Sequence, residues 1–269
     1  MNPLPIGVFD SGVGGLTVLR ALQQRLPAEN FIYLGDTARL PYGTKSAETI
    51  VRYARQAAAV LQGRGIKMLV VACNTASAHA LPALCADEAL IPVIGVIEPG
   101  ARAALQATKN RHIAVIATES TIAAGAYTTA IHKLASDITV SAQACSLLVA
   151  LAEEGWTEGA EAEAIVRRYL TPLLATHSAD TLVLGCTHFP LLAPVLRKVA
   201  GPAVHLIDSA ETTAIAVENA LICLNLKHTE TEHGTVHFMA TDGAARFARV
   251  AGQFLGRAVS AADVEIVNL

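Results

Sequence analysis

The sequence predicts an α/β fold of two similar domains, each a mostly parallel sheet flanked by helices, with a site in the cleft between them. Three observations predict it. Short apolar strands alternate with amphipathic helical stretches along the whole chain, which is the signature of βαβ units. At least one of these strands, Met68–Ala72, is apolar throughout rather than alternating, as a strand covered on both faces must be. The pattern also begins again in the second half.

Ile6-Gly7-Val8-Phe9 reads as the first strand, and Asp10-Ser11-Gly12-Val13-Gly14-Gly15 turns the chain into a helix that ends near Pro27. Phe31-Ile32-Tyr33-Leu34 is a second strand, followed by a loop from Gly35 to Gly43. Ser46 suits the N-cap of a helix reaching about Gly63, with Glu48 in its first turn. Met68–Ala72 is the third strand and Val93–Ile97 the fourth. Ile113-Ala114-Val115-Ile116 then resembles the first strand, and it ends at Ala117-Thr118 where the first ends at Asp10-Ser11. Leu182-Val183-Leu184 takes the part of the third strand, so a degenerate internal repeat is the economical explanation. Val204–Asp208 begins a further segment, whose helix is capped by Asp208 or Ser209. Asp208 and Glu211 have capping-box spacing. A last strand-helix-strand unit, roughly Thr235 to Val267, returns to the first domain. The expected domains are therefore 1–97 with 208–269, and 98–207.

Hydrophobic residues make up 52% of the 269 residues and charged residues 16%, which is ample material for buried cores. Aromatics at 4% argue against a base-stacking surface. With 20 Lys plus Arg against 23 Asp plus Glu and no basic tract, nucleic-acid binding has no electrostatic basis. The five cysteines are odd in number, widely spaced and without C-x-x-C, a poor framework for disulfides or zinc. The start, from Met1, lacks the basic and apolar regions of a signal peptide, and no run of about 18 apolar residues occurs. A protein of the cytoplasm, not bound to membrane, is expected.

Two stretches carry the chemistry: Val70-Val71-Ala72-Cys73-Asn74-Thr75 and Val183-Leu184-Gly185-Cys186-Thr187-His188. In each, an apolar run breaks at a cysteine followed by small polar residues and a helical pattern. In open parallel sheets ligands sit beyond the carboxyl ends of strands. Asp10, Ser11, Asp36, Cys73, Thr118 and Cys186 all fall at such ends. A helix N-terminus stabilises an anion, so the expectation is a thiol pKa lowered towards thiolate at both cysteines. Cys85, Cys145 and Cys223 read as buried filler. A phosphatase loop would place Arg six positions on, where this chain has His79 and Leu192. His188 is too local to Cys186 for a Cys-His hydrolase, and a metal would need more ligands than two cysteines and one histidine. The Gly-rich turn after Asp10 is either a plain tight turn or an anion-binding one. Pro41-Tyr42-Gly43 can be a simple turn, and Asn74-Thr75 and Thr187-His188 can be helix caps.

Asp10-Ser11-Gly12, Gly35-Asp36-Thr37-Ala38 with Pro41-Tyr42-Gly43, Cys73-Asn74-Thr75-Ala76-Ser77, Cys186-Thr187-His188-Phe189-Pro190 and Asp208-Ser209 together resemble the signature blocks of the glutamate racemase family, in the same order. Phe189 stands where that family often has Tyr, and Cys145–Ala150 replaces a Pro-containing segment. The resemblance implies interconversion of L- and D-glutamate with no cofactor and no metal, supplying D-glutamate for peptidoglycan. It implies that Cys73 takes the proton from D-glutamate and Cys186 from L-glutamate, with Asp10 assisting Cys73 and His188 assisting Cys186. Asp10, Ser11, Tyr42, Gly43, Asn74, Thr75, Thr118, Thr187 and His188 would hold the substrate, with Asp36 and Glu153 in support. A homodimer is also expected. Some relatives carry an N-terminal extension tied to activation by a cell-wall precursor. Five residues before the first strand speak against that regulation here. Two alternatives stay open: a two-cysteine racemase for aspartate or hydantoins, and an amino-acid-binding module whose thiols are merely packed.

Overall fold

The computed structural model describes residues 2–87, 91–177, 179–228 and 233–269; Met1, at the start of the segment read against a signal peptide, lies outside them. The first apolar runs form β1 (Ile6–Asp10), β2 (Phe31–Gly35), β3 (Met68–Val71) and β4 (Val93–Gly95). Between them lie α1 (Leu16–Arg25), α2 (Ala47–Gly63) and α3 (Asn74–Ala86). Ser46 caps α2 as expected, its side chain accepting from Thr49 N–H at 3.3 Å. The fourth strand is shorter than predicted. Val96 already has helical dihedrals, and Ile97 opens α4 (Ile97–Ala107) with Glu98 in its first turn.

The second half contributes β5 (His112–Ala117), α5 (Glu119–Ala123), α6 (Ala126–Leu134), β6 (Thr139–Ala144), α7 (Leu147–Glu153) and α8 (Gly159–His177). It continues with β7 (Thr181–Gly185), α9 (Ala193–Ala200) and β8 (His205–Asp208). Asp208, not Ser209, caps α10 (Ser209–Cys223), accepting from Ala210 N–H at 2.7 Å. The chain ends with β9 (Val236–Ala240), α11 (Ala244–Leu255) and β10 (Val264–Ile266).

Among the described residues all strand pairs are parallel, in two sheets of order β10-β9-β2-β1-β3-β4 and β6-β5-β7-β8. The four-strand order 2-1-3-4 of the first sheet recurs in the second, with β5 in the place of β1 and β7 in that of β3. Ile6 pairs with Phe31 and Met68 as Ile113 pairs with Val140 and Thr181. The restart seen in the sequence is thus a repeat of topology. The first sheet adds β9 and β10 at its β2 edge, so the C-terminal unit does return to it. One apolar core runs from the first sheet through α1, α4 and α10 into the second, through Leu19, Ala104, Val217 and Val183. A second core lies under α2 and α3 on the other face of the first sheet. Among the described residues no helix is long and apolar enough to cross a membrane.

The return of the chain to the first sheet is pinned by a buried ion pair. Lys67, just before β3, lies 2.5 Å from the carboxylate of Glu29, just before β2, and both side chains are 1% exposed. Lys67 Nζ also donates to the carbonyls of Asn2 and Leu226, and Glu29 accepts from His228 N–H at 2.7 Å. Removing one member of such a pair strands the other charge in an apolar setting. Lys67→Met is expected to lose about 3–5 kcal/mol of stability in urea unfolding. A loss of about 1 kcal/mol or less, as for an exposed pair, would show that the pair does not hold the return segment.

Candidate active site

The carboxyl ends of the two sheets face each other. Asp10 ends β1, Asp36 follows β2, Thr118 follows β5, Cys186 follows β7, and Cys73 caps α3 just beyond β3. A cavity of about 360 Å³ lies between the sheets. Ser11, Tyr42, Gly43, Cys73, Asn74 and Thr75 line it from one side; Thr118, Glu153, Cys186 and His188 line it from the other. Two thiols from equivalent strands therefore open onto one space. Asp10, Asp36 and Thr187, also expected to contribute, stand behind its wall.

Cys73 is 5% exposed, with its sulfur donating to Ser11 Oγ at 3.4 Å and accepting from Ala76 N–H at 3.4 Å. The thiol pKa is not lowered as predicted. Burial first, and the Asp10 charge second, push it up to about 12, against only modest help from Ser11 and Ala76. The helix N-terminus supplies a donor, but desolvation of a thiolate outweighs it. Asp10 is itself fully buried, and burial raises its carboxyl above the usual range. The opposing influences are the His188 charge and the N–H groups of Gly12, Gly15 and Ser11. One oxygen accepts from Gly12 N–H at 2.8 Å; the other has no hydrogen-bond partner in the structure.

Cys186 departs from the predicted setting too: it precedes a short 3₁₀ turn, Phe189–Leu192, rather than a long helix. Its neighbour is the His188 ring, with Nδ1 3.7 Å from the sulfur and Nε2 3.1 Å from Glu153 Oε1. Burial by itself would depress the His188 pKa. Hydrogen bonds with Cys186 and Glu153, and the charges of Cys186 and Asp10, win and raise it to about 10. Glu153 is held below its usual range, mainly by the His188 hydrogen bond. Burial works against this, and the charges of His188 and Arg246 assist it. Its second oxygen accepts from Arg246 Nη2 at 3.0 Å. Glu153 therefore buttresses His188 directly.

The Gly-rich turn after Asp10 is one place where the halves touch. A Cβ on Gly14 would lie 2.3 Å from Thr187 Oγ1 and 2.5 Å from the His188 ring, and one on Gly15 would lie 2.5 Å from Asp10 Cβ. Thr17 Oγ1 donates across the junction to the Thr187 carbonyl at 2.9 Å. The Thr187 hydroxyl thus faces this turn and not the cavity. Asp36 plays a comparable supporting part. It accepts from Tyr42 at 2.5 Å, Arg39 at 2.6 Å and Thr241 at 2.9 Å, and so fixes the loop that carries Tyr42 and Gly43. Thr75, Thr118 and Thr121 form a hydroxyl triangle with sides of 2.9–3.1 Å across the cleft. A Cβ on Gly43 would sit 3.0 Å from Thr118 Cβ.

Arg246 on α11 and Ser146, Val149 and Ala150 beside or on α7 also line the cavity, and none was found in the sequence. Arg246 sits in an amphipathic helix without a motif, where a charge reads as a solvated face. Of the three cysteines read as filler, Cys145 is buried, whereas Cys85 and Cys223 are exposed near helix ends. Average burial tendency was a poor guide there, because both lie on the outer faces of surface helices.

A family model described as Asp/Glu/Hydantoin racemase matches residues 6–217. A glutamate racemase of Syntrophus aciditrophicus is 48% identical over 267 residues, covering 98% of this chain and 97% of its own. Among solved structures, a glutamate racemase isoform from Bacillus anthracis superposes with a TM-score of 0.94 at 40% identity, covering 100% of this chain and 99% of its own. A Francisella tularensis glutamate racemase in complex with D-glutamate gives 0.90 at 37%, covering 100% and 98%.

Exposure decides the order of thiol modification. Limited alkylation is expected to label Cys85 and Cys223 first and Cys145 last, as read by peptide mapping. Early labelling of Cys145 would contradict the buried setting. His188 supplies a second prediction. Its folded pKa lies above the ordinary 6.5, so its contribution to stability is full below pH 6.5 and is lost as pH rises through about 10. NMR should find the His188 ring protonated at pH 7, and Glu153→Gln should lower its pKa. A ring that titrates below pH 7 in the unmodified protein would refute the Cys186–His188–Glu153 arrangement.

Proposed function

The chain belongs to the Asp/Glu/hydantoin racemase family and is a racemase, and from that premise we propose that it interconverts L- and D-glutamate with two opposed thiols and no cofactor. The observation that carries the mechanism is the opening of Cys73 and Cys186, from equivalent strands of the two sheets, onto one cavity. Inversion at a carbon needs a base on one face and an acid on the other. The substrate reading leans on near-full-length relatives named for glutamate and on a related structure that holds D-glutamate.

The α-proton of an amino acid is weakly acidic, so fixed charges and donors in a water-poor cleft must stabilise the developing carbanion. Cys73 removes the proton from D-glutamate while the Cys186 thiol donates to the opposite face; the reverse holds for L-glutamate. At rest Cys73 is a neutral thiol, so its proton leaves only once substrate is bound. The substrate ammonium offsets the Asp10 charge that disfavours the thiolate. Asp10, buried with one unpaired oxygen, accepts the Cys73 thiol proton as substrate binds and leaves the thiolate to take the α-proton. The His188 imidazolium, held by Glu153, stabilises negative charge on the Cys186 sulfur. Ser11, Tyr42, Gly43, Asn74, Thr75 and Thr118 hold the charged ends of the substrate. Residues 1–97 with 208–269, and 98–207, would be the two bodies that close on it. The same reading puts the enzyme in the cytoplasm, where thiols stay reduced, and has it supply D-glutamate for peptidoglycan.

Circular dichroism of L- or D-glutamate incubated with the purified protein, with no additive, should decay to zero from either side. Cys73→Ala and Cys186→Ala should each lower turnover at least about 10³-fold, and the double variant little further, because both thiols serve one turnover. Near-normal racemisation by either single variant would refute the opposed-thiol mechanism. Turnover of aspartate in place of glutamate would refute the substrate.

A further inference from the structure

The amide of Asn74, one residue from Cys73, is gripped by a residue from the other half of the molecule. Tyr127 lies on α6, and its hydroxyl donates to Asn74 Oδ1 at 2.7 Å. Both residues are 3% exposed. The Tyr127 ring lies close against two glycines. A Cβ on Gly185 would stand 3.0 Å from its Cε2, and one on Gly100 would stand 3.3 Å from its Cε1, so backbone packs directly on the ring. The other end of the amide, Nδ2, is buried with no hydrogen-bond partner in the structure, and Asn74 lines the cavity shared by the two thiols.

A buried donor without a partner is costly, and such a group in a ligand cavity points to an acceptor on the ligand. An asparagine amide is nearly symmetric in shape but not in chemistry, and a flip exchanges two donors for an acceptor. Presented with its N–H groups inward, Asn74 binds a carboxylate; flipped, it repels one. Burial foremost, then the Cys186 and Asp208 charges, raise the Tyr127 pKa, so its hydroxyl keeps the proton it donates. A donor at that place holds Oδ1 and leaves Nδ2 to donate elsewhere. The chain from hydroxyl to amide to carboxylate then has every bond polarised in one direction.

We propose that Tyr127 is a positioning residue for substrate recognition: its hydroxyl fixes the Asn74 amide so that the N–H groups face the cavity and take a substrate carboxylate. The proposal rests on the reading of glutamate as substrate. The test is steady-state kinetics with both glutamate enantiomers for the wild type, Tyr127→Phe, Asn74→Ala, the double variant and Asn74→Asp. Tyr127→Phe should raise KM about five- to tenfold, the scale of one hydrogen bond, with little change in kcat. The same substitution in the Asn74→Ala background should leave KM where Asn74→Ala alone puts it. Asn74→Asp keeps the partner of Tyr127 but turns an acceptor inward, and it should raise KM well beyond Asn74→Ala. An unchanged KM in Tyr127→Phe, an equal effect with Asn74 absent, or near-normal binding by Asn74→Asp would each overturn the proposal. The last holds even if Tyr127→Phe fails to fold. A wild type that does not racemise glutamate would sink the substrate reading and this inference together. A wild type that does, beside an unaffected Tyr127→Phe, would sink the inference alone.

Discussion

The approach of the β1–α1 turn to the Thr187-His188 segment is the contact on which the rest of the site depends. Gly14 meets Thr187 and His188 so closely that no side chain fits between them, and Thr17 bonds across the junction to the Thr187 carbonyl. This contact, with the others between the halves, sets how far Asp10 lies from His188, and hence how the carboxyl on one side feels the imidazolium on the other. It also holds the Cys186 strand end at the depth of the Cys73 strand end. A cavity that receives one thiol from each sheet follows from that alignment.

Electrostatics in the cavity are decided by competition between burial and neighbours. On the Cys73 side burial wins: both the thiol and Asp10 are pushed towards their neutral forms. On the Cys186 side neighbours win: His188 is charged because Glu153 and Cys186 flank it, and Arg246 completes the row from the first half. The two thiols thus have unlike neighbours, a buried carboxyl beside one and an imidazolium held by Glu153 beside the other. This asymmetry is compatible with a pseudo-symmetric fold because the Gly-rich turn exists only after β1, while the Thr-His pair exists only after β7.

The opposite end of the first sheet has the complementary task. Lys67 and Glu29 tie the N-terminal segment, the approach to β2 and the return from α10 into one buried cluster. With that end fixed, the loops at the carboxyl ends can be shaped by short-range bonds, as Asp36 shapes the Tyr42 loop. Rigid strands below and hydrogen-bonded loops above are what positioning within a fraction of an ångström demands.

Much of this was legible in the residues. Parallel strands buried on both faces write themselves as apolar runs, so β1, β2, β3, β5 and β7 were visible, and with them every strand end that carries Asp10, Asp36, Cys73, Thr118 or Cys186. β6 was not, because Thr139–Ala144 mixes polar with small residues and buries only Ser141, so it shows no apolar run. Spacing placed the two thiols at strand ends, but it could not rank desolvation against a helix N-terminus, and so the Cys73 pKa was misjudged. Nor could it show that Thr187 turns to Gly14 and away from the cavity, that Arg246 arrives from the C-terminal helix, or that Tyr127 reaches Asn74. Local sequence by itself determined which strands form and which groups stand at their ends, because burial on two faces and the strand-to-helix break act over a few residues. Only the tertiary structure decided which of those groups meet and in which charge state, because contacts between the halves and the desolvation they impose join residues far apart in the chain.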